Sequence, residues 1–301
     1  MTGQAQSLYR KWRSQTFSDL VGQEAVIQTL RQAVAQARLT HAYLFSGPRG
    51  TGKTSTARLL AKMVNCTNPR DGEPCNTCLS CSEITDGRST DVFEIDAASN
   101  RGIDEIRELR DRVRVVSAIG RTRLFIIDEV HMLTTEAFNA LLKTLEEPPP
   151  NVLFVLATTE AHKIPATVIS RCQRFEFRRI ALRDIIARLQ YVSDQEGLRT
   201  EPHALELIAR AAQGGMRDAL SLLDQARAFA GDAISAEAAR SMLGMADPAL
   251  VRGVIEFVAA GDTAGGLHRI NHLAQSGIDL RQLANQLAEL WRQLMLTRAG
   301  A

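Results

Sequence analysis

The chain has 301 residues, of which 45% are hydrophobic and 5% aromatic, and a formal net charge of +2. This composition excludes a disordered chain and predicts about two domains, or three small ones, with aliphatic cores. The small net charge excludes a uniformly basic surface, so any contact with nucleic acid has to come from a local patch. No apolar run approaches the roughly 20 residues that span a membrane, and Met1–Ser7 lacks the apolar core of a signal peptide. We therefore expect a cytoplasmic protein without structural disulfides.

The run Gly-Pro-Arg-Gly-Thr-Gly-Lys-Thr, residues 47–54, fills every fixed position of a phosphate-binding loop. An apolar run, Ala42–Phe45, precedes it and a helix-patterned stretch, Ser55–Val64, follows it, as this motif requires. Glycines let backbone amides turn towards phosphate oxygens, and the helix N-terminus adds partial positive charge. Lys53 is expected to reach the β- and γ-phosphates of a nucleotide, and the Thr54 hydroxyl to bind Mg²⁺. A chance glycine-rich turn is the alternative. The predicted nucleotide-binding residues of this run are Gly47, Pro48, Arg49, Gly50, Thr51, Gly52, Lys53, Thr54 and Ser55.

Four of the five cysteines follow directly, with the spacing Cys66-x8-Cys75-x2-Cys78-x2-Cys81. Two thiolates separated by two residues can hold one ion, and four thiolates suit a tetrahedral zinc site with no position left open for catalysis. We expect a structural zinc knuckle. A redox pair of Cys75 and Cys78 is the alternative, and Cys172 is expected to be a buried small hydrophobe.

Short apolar runs with β-forming residues recur along the first part of the chain and alternate with helix-periodic segments. This alternation predicts an α/β fold with a parallel sheet of five strands covered on both faces. The predicted strands are Ala42–Ser46, Val92–Ile95, Leu124–Asp128, Val152–Ala157 and Phe175–Phe177. The helical positions between them are Ile103, Ile106, Leu109 (or Arg110), Val113 and Val116, and then Ala137, Leu141, Leu142 and Leu145. The prolines Pro148–Pro150 end the second of these helices.

No further strand is predicted after about Arg179. Glycines separate four helical segments, predicted at 182–196, 202–213, 216–230 and 236–243. A third helical region starts at Asp247. Its apolar stripe consists of Leu280, Leu283, Leu287, Leu290 and Leu294, with Trp291 alongside. The stripe requires one buried face, and an ordinary core is favoured over a dedicated partner surface.

Acidic and hydroxyl side chains follow the ends of two predicted strands. At the end of one strand, Asp128 is expected to hold Mg²⁺, and Glu129 to polarise an attacking water. The alternative for both acids is capping of the next helix. At the end of the next strand, Thr159, in preference to Thr158, is expected to contact the γ-phosphate or the water. Without the other motifs, an ordinary structural threonine is an equal interpretation.

Two arginines complete the predicted catalytic set. Arg171 lies just before the last strand and could neutralise charge on a transferring phosphoryl group, or be a plain surface residue. Arg217 lies in the first turn of a helix after two glycines. It could reach back to the nucleotide, or pair locally with Asp218 or Asp224.

Together these motifs resemble the AAA+ ATPases and, more narrowly, the gamma/tau family of DNA polymerase III, the ATPase subunits of bacterial clamp loaders. The cysteine knuckle after the phosphate-loop helix is the specific mark, and the resemblance covers roughly residues 8–245. Other matching segments are 8–13, 16–17, 21–24, 41–46, 94–99, 127–133, 139–148 and 217–222. The resemblance implies that Thr159 is the first sensor, Arg217 the second, and Arg171 an arginine finger acting on a neighbouring subunit. It also implies that Val21 and Tyr9–Arg13 fold over adenine.

The resemblance further implies the domain organisation and the function. We expect an AAA+ nucleotide-binding domain at 1–178 with a zinc module at 66–81, a helical lid at 179–245, and a partial helical collar at 246–301. The collar of the family continues past residue 301, so we expect a fragment or an early-terminated product, in which assembly is in question.

The expected function is ATP-dependent loading of a sliding clamp onto primer–template DNA, with ATP, Mg²⁺ and structural zinc. The expected partners are delta, delta-prime and further gamma/tau subunits, the clamp, and DNA. Asn100 and Arg101 are candidates for contacting DNA phosphates, with helix capping by Ser99 or Asn100 as the alternative. A non-catalytic scaffold resembling delta-prime, and another AAA+ motor such as a branch-migration helicase or a repair ATPase, are the alternative functions.

Overall fold

The computed structural model describes residues 6–113 and 122–300. Met1–Ala5 and Val116, which were part of the sequence-based expectations, lie outside the described residues. The chain divides into two compact units. The first contains the described residues up to Arg188 together with Gln213–Asp218, and the second contains Leu189–Ala212 and the described residues from Ala219. Among the helices within these ranges, none is long and apolar enough to cross a membrane.

The first unit is built on a parallel sheet of five strands in the order β2-β3-β4-β1-β5. The strands are β1 (Ala42–Ser46), β2 (Val92–Asp96), β3 (Arg123–Asp128), β4 (Val152–Thr158) and β5 (Gln173–Glu176). Every residue of β1 and β4 is buried, which explains why these strands read as continuous apolar runs rather than alternating ones. The expected five-stranded α/β fold is confirmed. Because all of the pairings are parallel, the loops that follow β1, β3 and β4 meet at one edge of the sheet.

Helices pack on both faces of this sheet. Alternate residues of each central strand enter two separate hydrophobic cores, so that Tyr43 and Phe45 face one and Ala42 and Leu44 the other. Two helices precede the first strand, α1 (Leu8–Lys11) and α2 (Glu24–Ala35). The helices between the strands are α3 (Lys53–Asn65), α4 (Leu79–Thr85), α5 (Ile103–Val113), α6 (Thr135–Glu146) and α7 (Ala166–Ile169). Short 3-10 helices lie at Phe17–Asp19, Val130–Met132 and Ala161–Lys163.

The last strand of the sheet begins two residues earlier, and ends one residue earlier, than its apolar residues suggested. The prediction was Phe175–Phe177, whereas β5 pairs with β1 over Gln173–Glu176. This strand is at the edge of the sheet, where Gln173, Arg174 and Glu176 are exposed and only Phe175 points into the core. Backbone pairing at an edge does not require apolar side chains, so hydrophobicity alone misplaced the strand.

Residues from 182 onwards form helices α8 (Leu182–Glu196), α9 (Pro202–Ala211), α10 (Met216–Ala230) and α11 (Ala236–Met242). The expectation that strands cease after Arg179 is wrong in one detail. Two-residue strands β6 (Arg199–Thr200) and β7 (Ala233–Ile234) form a small parallel sheet in the second unit. Two residues are too few to produce a recognisable alternation of apolar and polar side chains.

Three further helices complete the second unit, α12 (Pro248–Ala260), α13 (Thr263–Gln275) and α14 (Leu280–Ala299). Their shared core contains Leu283, with Leu287 and Leu290 half-buried against it. The expectation that the whole α14 stripe is ordinary core is wrong, because Leu280 is 50% exposed and Leu294 46%. Within the described residues, α12 and α13 cover only part of that face.

Candidate functional site

The phosphate loop crosses from the end of β1 to the start of α3, and its glycines have backbone angles that favour glycine. Gly47, Gly50 and Gly52 have φ values of +146°, +76° and +103°. A Cβ atom on Gly47 would lie 2.2 Å from the carbonyl oxygen of Phe177, so no side chain fits there. The close approach of Phe177 fixes the loop against β5.

Lys53 is the first residue of α3 and is only 6% exposed. Its Nζ donates hydrogen bonds of 2.8 Å to the carbonyl oxygens of both Gly47 and Pro48. Burial lowers the pKa of this ammonium group below its ordinary value, and the carboxylates of Glu129 and Asp128 act in the opposite direction. A buried cation held by the loop's own carbonyl oxygens is suited to exchange them for phosphate oxygens.

The side chain of Thr54, the residue after Lys53, contacts the last residue of β3. The Thr54 hydroxyl donates a 2.6 Å hydrogen bond to Oδ2 of Asp128, which ends β3. The structure therefore brings together two of the predicted Mg²⁺ ligands, 74 residues apart in the chain. A hydroxyl and a carboxylate oxygen are hard donors of the kind that Mg²⁺ prefers, so this pair fits the ion.

Glu129 adopts a left-handed backbone conformation, with φ +47° and ψ +44°, directly after β3. Its carboxylate oxygen Oε2 accepts two hydrogen bonds from Thr159, one of 3.0 Å from the hydroxyl and one of 3.3 Å from the backbone N–H. The two predicted residues from neighbouring strand ends are thus in contact. Thr158 is fully buried, and its hydroxyl lies 3.0 Å from Nδ1 of His131.

His131 was not predicted as a site residue, although it lies two positions after Glu129. Its side chain is 6% exposed, with Nδ1 3.4 Å from Glu129 Oε2 and Nε2 3.1 Å from Glu160 Oε2. The imidazole therefore contacts two carboxylates and the Thr158 hydroxyl. One of these carboxylates belongs to Glu129, the residue predicted to polarise the attacking water. A histidine directly after paired acids at a strand end was the available signal for this residue.

Arg217 lies next to the N-terminal segment. Its guanidinium carbon is 5.0 Å from the ring centre of Tyr9, a cation–π geometry. Burial lowers the pKa of Arg13, and the nearby positive charges of Arg58 and Arg217 lower it further. Arg13 is therefore close to both Arg58 and Arg217. Arg217 and the Tyr9–Arg13 segment were predicted as site residues, and Arg58 was not. Such a cluster of positive charge is suited to a polyphosphate.

Two residues after Val21, the buried Gln23 fixes the segment predicted to cover adenine. Its side-chain amide donates to the carbonyl of Arg178 at 2.8 Å and accepts from the Arg178 N–H at 3.2 Å.

Arg171 lies between α7 and β5, and its side chain is 33% exposed. One guanidinium nitrogen donates to Glu146 Oε1 at 2.6 Å, and another donates to the carbonyl oxygen of Thr167 at 2.6 Å. The structure shows no contact between Arg171 and the phosphate loop among the described residues. This placement fits a side chain that acts outside its own site.

The two candidates for DNA contact lie in the turn after β2. Asn100 donates from its side chain to the carbonyl oxygen of Asp96 at 3.0 Å, and Arg101 donates to that of Ala98 at 2.9 Å. The Ser99 hydroxyl bonds to the Asp96 carboxylate at 3.3 Å. In the described contacts Ser99 and Asn100 bond to Asp96 and Arg101 to Ala98, so all three side chains stabilise the turn itself rather than cap α5.

The four clustered cysteines converge as predicted. The sulfur atoms of Cys66, Cys75, Cys78 and Cys81 all lie within 4.8 Å of one another. Hydrogen bonds from Thr77, and also from the Cys78 backbone, lower the pKa of Cys75 to about 5, so this sulfur is readily a thiolate. Four sulfur atoms at this separation fit a tetrahedral metal ion.

The fold and the phosphate loop define a P-loop nucleotide-binding protein of the AAA+ type. Solved structures of the Holliday junction branch migration motor RuvB from Thermotoga maritima share the fold. One of them has a TM-score of 0.58 at 18% identity, over 91% of this chain and 88% of that one. An identity this low establishes the architecture and nothing about the activity.

Family models identify the chain more narrowly. A model described as DNA polymerase III, delta subunit, matches residues 22–181. The ATPase lid domain of the DNA polymerase III clamp loader subunit matches residues 184–232, and domain III of subunits gamma and tau matches residues 234–301.

Relatives agree with this assignment along the whole chain. The tau subunit of Bacillus subtilis DNA polymerase III is 50% identical over 98% of this chain and 52% of its own length. The Escherichia coli tau subunit is 44% identical over 97% of this chain and 46% of its own length. The gamma subunit of Buchnera aphidicola is 35% identical over 97% of this chain and 79% of its own length. The chain belongs to the gamma/tau family of DNA polymerase III, a family of AAA+ clamp-loader ATPases. It spans about half the length of the first two relatives.

Proposed function

We propose that the chain is the ATP-hydrolysing part of a clamp-loader motor subunit that acts in the cytoplasm. ATP binding and hydrolysis would drive the opening of a sliding clamp and its release on primer–template DNA. The observation that carries this proposal is the 2.6 Å contact between Thr54 and Asp128 beside the buried Lys53. It joins a phosphate-binding loop to an acid at a strand end, the combination that phosphoryl transfer requires.

Each residue of the site has a role in this proposal. The Lys53 ammonium binds the β- and γ-phosphates, and the loop amides orient them in line with the attacking water. Glu129 accepts a hydrogen bond from that water and polarises it, while Thr159 holds the carboxylate in place. Thr54 and Asp128 would hold Mg²⁺, which neutralises negative charge on the phosphates when it is bound.

The second sensor and the adenine-covering residues belong to the same proposal. Arg217 would contact the nucleotide from its position over Tyr9 and transmit occupancy to the lid. Val21 and Tyr9–Arg13 would cover the adenine.

Arg171 is proposed to complete the site of a neighbouring subunit. Its contact with Glu146 is an exposed ion pair, which contributes about 0–1 kcal/mol and can therefore be exchanged for phosphate. Delta, delta-prime and further gamma/tau copies are the proposed partners. Asn100 and Arg101 are the proposed contacts to DNA phosphates, which would make DNA binding independent of sequence and sensitive to salt.

The cysteine cluster is proposed to hold structural zinc. Four sulfur ligands leave no open coordination position, and the cluster spans the loop that follows α3 and the first turn of α4. The ion would stabilise the fold of this loop and take no part in hydrolysis.

Calorimetry with Mg-ATP tests the proposal. Zinc-loaded protein should bind with a measurable heat, and Lys53→Ala should abolish the binding. Lys143→Ala, at an exposed position of α6, is the charge-matched control and should bind normally. A well-folded wild-type protein that binds no nucleotide would refute the motor assignment.

Turnover in a reconstituted complex separates the alternatives. Clamp and primer–template DNA should raise the ATPase rate when partner subunits are present. A scaffold resembling delta-prime would bind no nucleotide, whereas another AAA+ motor would hydrolyse ATP without responding to the clamp.

A further inference from the structure

A turn within the cysteine module, residues 66–81, forms hydrogen bonds with the N-terminal segment of the first unit, residues 7–22. The carboxylate of Glu73 accepts hydrogen bonds from the backbone N–H of Phe17 at 2.6 Å and of Ser18 at 2.9 Å. It also accepts one from the Ser18 hydroxyl at 2.7 Å and pairs with Arg31. The contacts with Phe17 and Ser18 join residues 56 and 55 positions apart, and the Glu73 side chain is only 19% exposed.

A second contact joins the same two parts of the chain. Lys62 of α3 is 2% exposed, and its Nζ donates to Gln15 Oε1 at 2.5 Å and to Asn76 Oδ1 at 2.8 Å. Gln15 belongs to the N-terminal segment, and Asn76 lies between two of the clustered cysteines. Hydrogen bonds to charged groups are among the stronger ones in proteins, so these two contacts hold the segment firmly.

The segment that Glu73 holds leads directly to the nucleotide site. Leu20, one residue after the 3-10 helix Phe17–Asp19, lies against the phosphate loop, where a Cβ atom on Gly52 would be 3.3 Å from its Cδ2. At the other end of the segment, Tyr9 lies under Arg217. The position of residues 7–22 therefore affects both the loop and the second-sensor arginine.

We infer that Glu73 is a positioning residue for nucleotide binding, through which the cysteine module fixes the segment that flanks the nucleotide. The inference rests on the proposed nucleotide-binding function and adds a role to the module beyond its own stability. It predicts that breaking the contact weakens nucleotide binding while the metal remains bound. If a variant populates the arrangement that binds nucleotide less often, its apparent dissociation constant for nucleotide rises by the same factor.

The experiment compares Glu73→Gln with Asp71→Asn. Asp71 lies in the same turn, is exposed, and loses the same charge in its variant. Both are made in a Trp291→Phe background, which leaves Trp12 as the remaining tryptophan of the two in the chain. Trp12 lies within the segment, so its quenching by acrylamide reports how firmly the segment is held. Calorimetry gives the dissociation constant for Mg-ADP, and metal analysis gives the zinc content.

We expect Glu73→Gln to raise the dissociation constant about tenfold, since a hydrogen bond to a charged group is commonly worth that factor. Trp12 should become easier to quench, the zinc content should stay the same, and Asp71→Asn should change neither binding nor quenching. Ser18→Ala removes the hydroxyl that donates to Glu73 and accepts from Arg31, while the backbone contacts of Glu73 remain, and it should act in the same direction with a smaller effect. If Glu73→Gln fails to fold, Ser18→Ala still tests whether weakening this contact weakens nucleotide binding.

Several outcomes would overturn the inference. Equal dissociation constants for the Glu73 and Asp71 variants would do so, as would weaker binding without a change in Trp12 quenching. If wild-type protein fails to bind Mg-ADP, the proposed function fails. The quenching comparison still tests whether Glu73 holds the segment.

Discussion

Gly47→Ala tests whether the phosphate loop has the backbone geometry that places Lys53. The new Cβ would lie 2.2 Å from the Phe177 carbonyl oxygen and 3.0 Å from its carbonyl carbon. Carbon and oxygen atoms do not approach to 2.2 Å, so either Phe177 or the loop has to move. Phe177 is constrained in turn by its N–H, which donates to the Ser46 carbonyl oxygen at 2.7 Å.

The expected cost follows from two contributions. Backbone strain at φ +146° for a non-glycine residue costs about 1–3 kcal/mol. Overpacking against a fixed backbone costs about 1–3 kcal/mol more. The sum, about 4 kcal/mol, is a large part of the roughly 5–15 kcal/mol by which domains are stable.

Gly87→Ala separates the two contributions. Gly87 has a φ of +69°, and nothing lies within 4 Å of the position its Cβ would take. This variant should therefore lose only the backbone preference, about 1–2 kcal/mol.

Urea unfolding followed by Trp12 fluorescence, in the Trp291→Phe background, reports on the first unit. The reasoning is refuted if Gly47→Ala destabilises this unit no more than Gly87→Ala. It is also refuted if Gly47→Ala binds Mg-ATP as tightly as the wild type.

Further expectations concern the chemistry of the site. Glu129→Gln should lower kcat at least about 100-fold while nucleotide affinity changes little, because only the polarisation of water is lost. Single-turnover hydrolysis measures the rate and calorimetry measures the affinity, and equal losses of rate and affinity would contradict the assigned role. Arg171→Ala and Lys53→Ala complexes should each be inactive, yet mixed complexes should regain part of the ATPase rate if Arg171 acts on a neighbour; no recovery would argue against action in trans. Burial raises the pKa of Cys172 to about 11, so its thiol is protonated at pH 7.5 and its alkylation should accelerate as the pH rises towards that value. Zinc-loaded protein should therefore show no rapidly alkylated thiol at pH 7.5 until a chelator exposes the four clustered cysteines, and mass spectrometry after iodoacetamide would reveal any earlier labelling.

The sheet was predictable because its central strands are buried on both faces. A buried parallel strand such as β4, which is apolar from Val152 to Ala157, shows a continuous apolar run that is visible without any knowledge of its neighbours. The phosphate loop was predictable for a different reason, since the spacing of its glycines, lysine and threonine is a local pattern, even though the space at Gly47 is also limited by the distant Phe177. Prediction failed for the edge strand β5, where backbone pairing is compatible with exposed polar residues.

Contacts between residues that are far apart in the chain could not be predicted from the local sequence pattern. Glu73 looks like an ordinary turn residue in the sequence, and only the fold brings it to the N–H groups of Phe17 and Ser18. His131 similarly reaches Glu160 only when β3 and β4 lie side by side, whereas its other carboxylate neighbour, Glu129, is two positions away in the chain. The α14 stripe shows the reverse case. Its periodicity predicts a buried face, but periodicity does not tell how much of that face this chain covers.

The left-handed backbone of Glu129 has a consequence for how the site would operate. Such a conformation costs a non-glycine residue about 1–2 kcal/mol, and this cost is met once, when the protein folds. The side chain is then held by Thr159 on the neighbouring strand end. In the role proposed for Glu129, a carboxylate that is already fixed in place needs little reorganisation during the reaction, so the cost of positioning it would be met by folding.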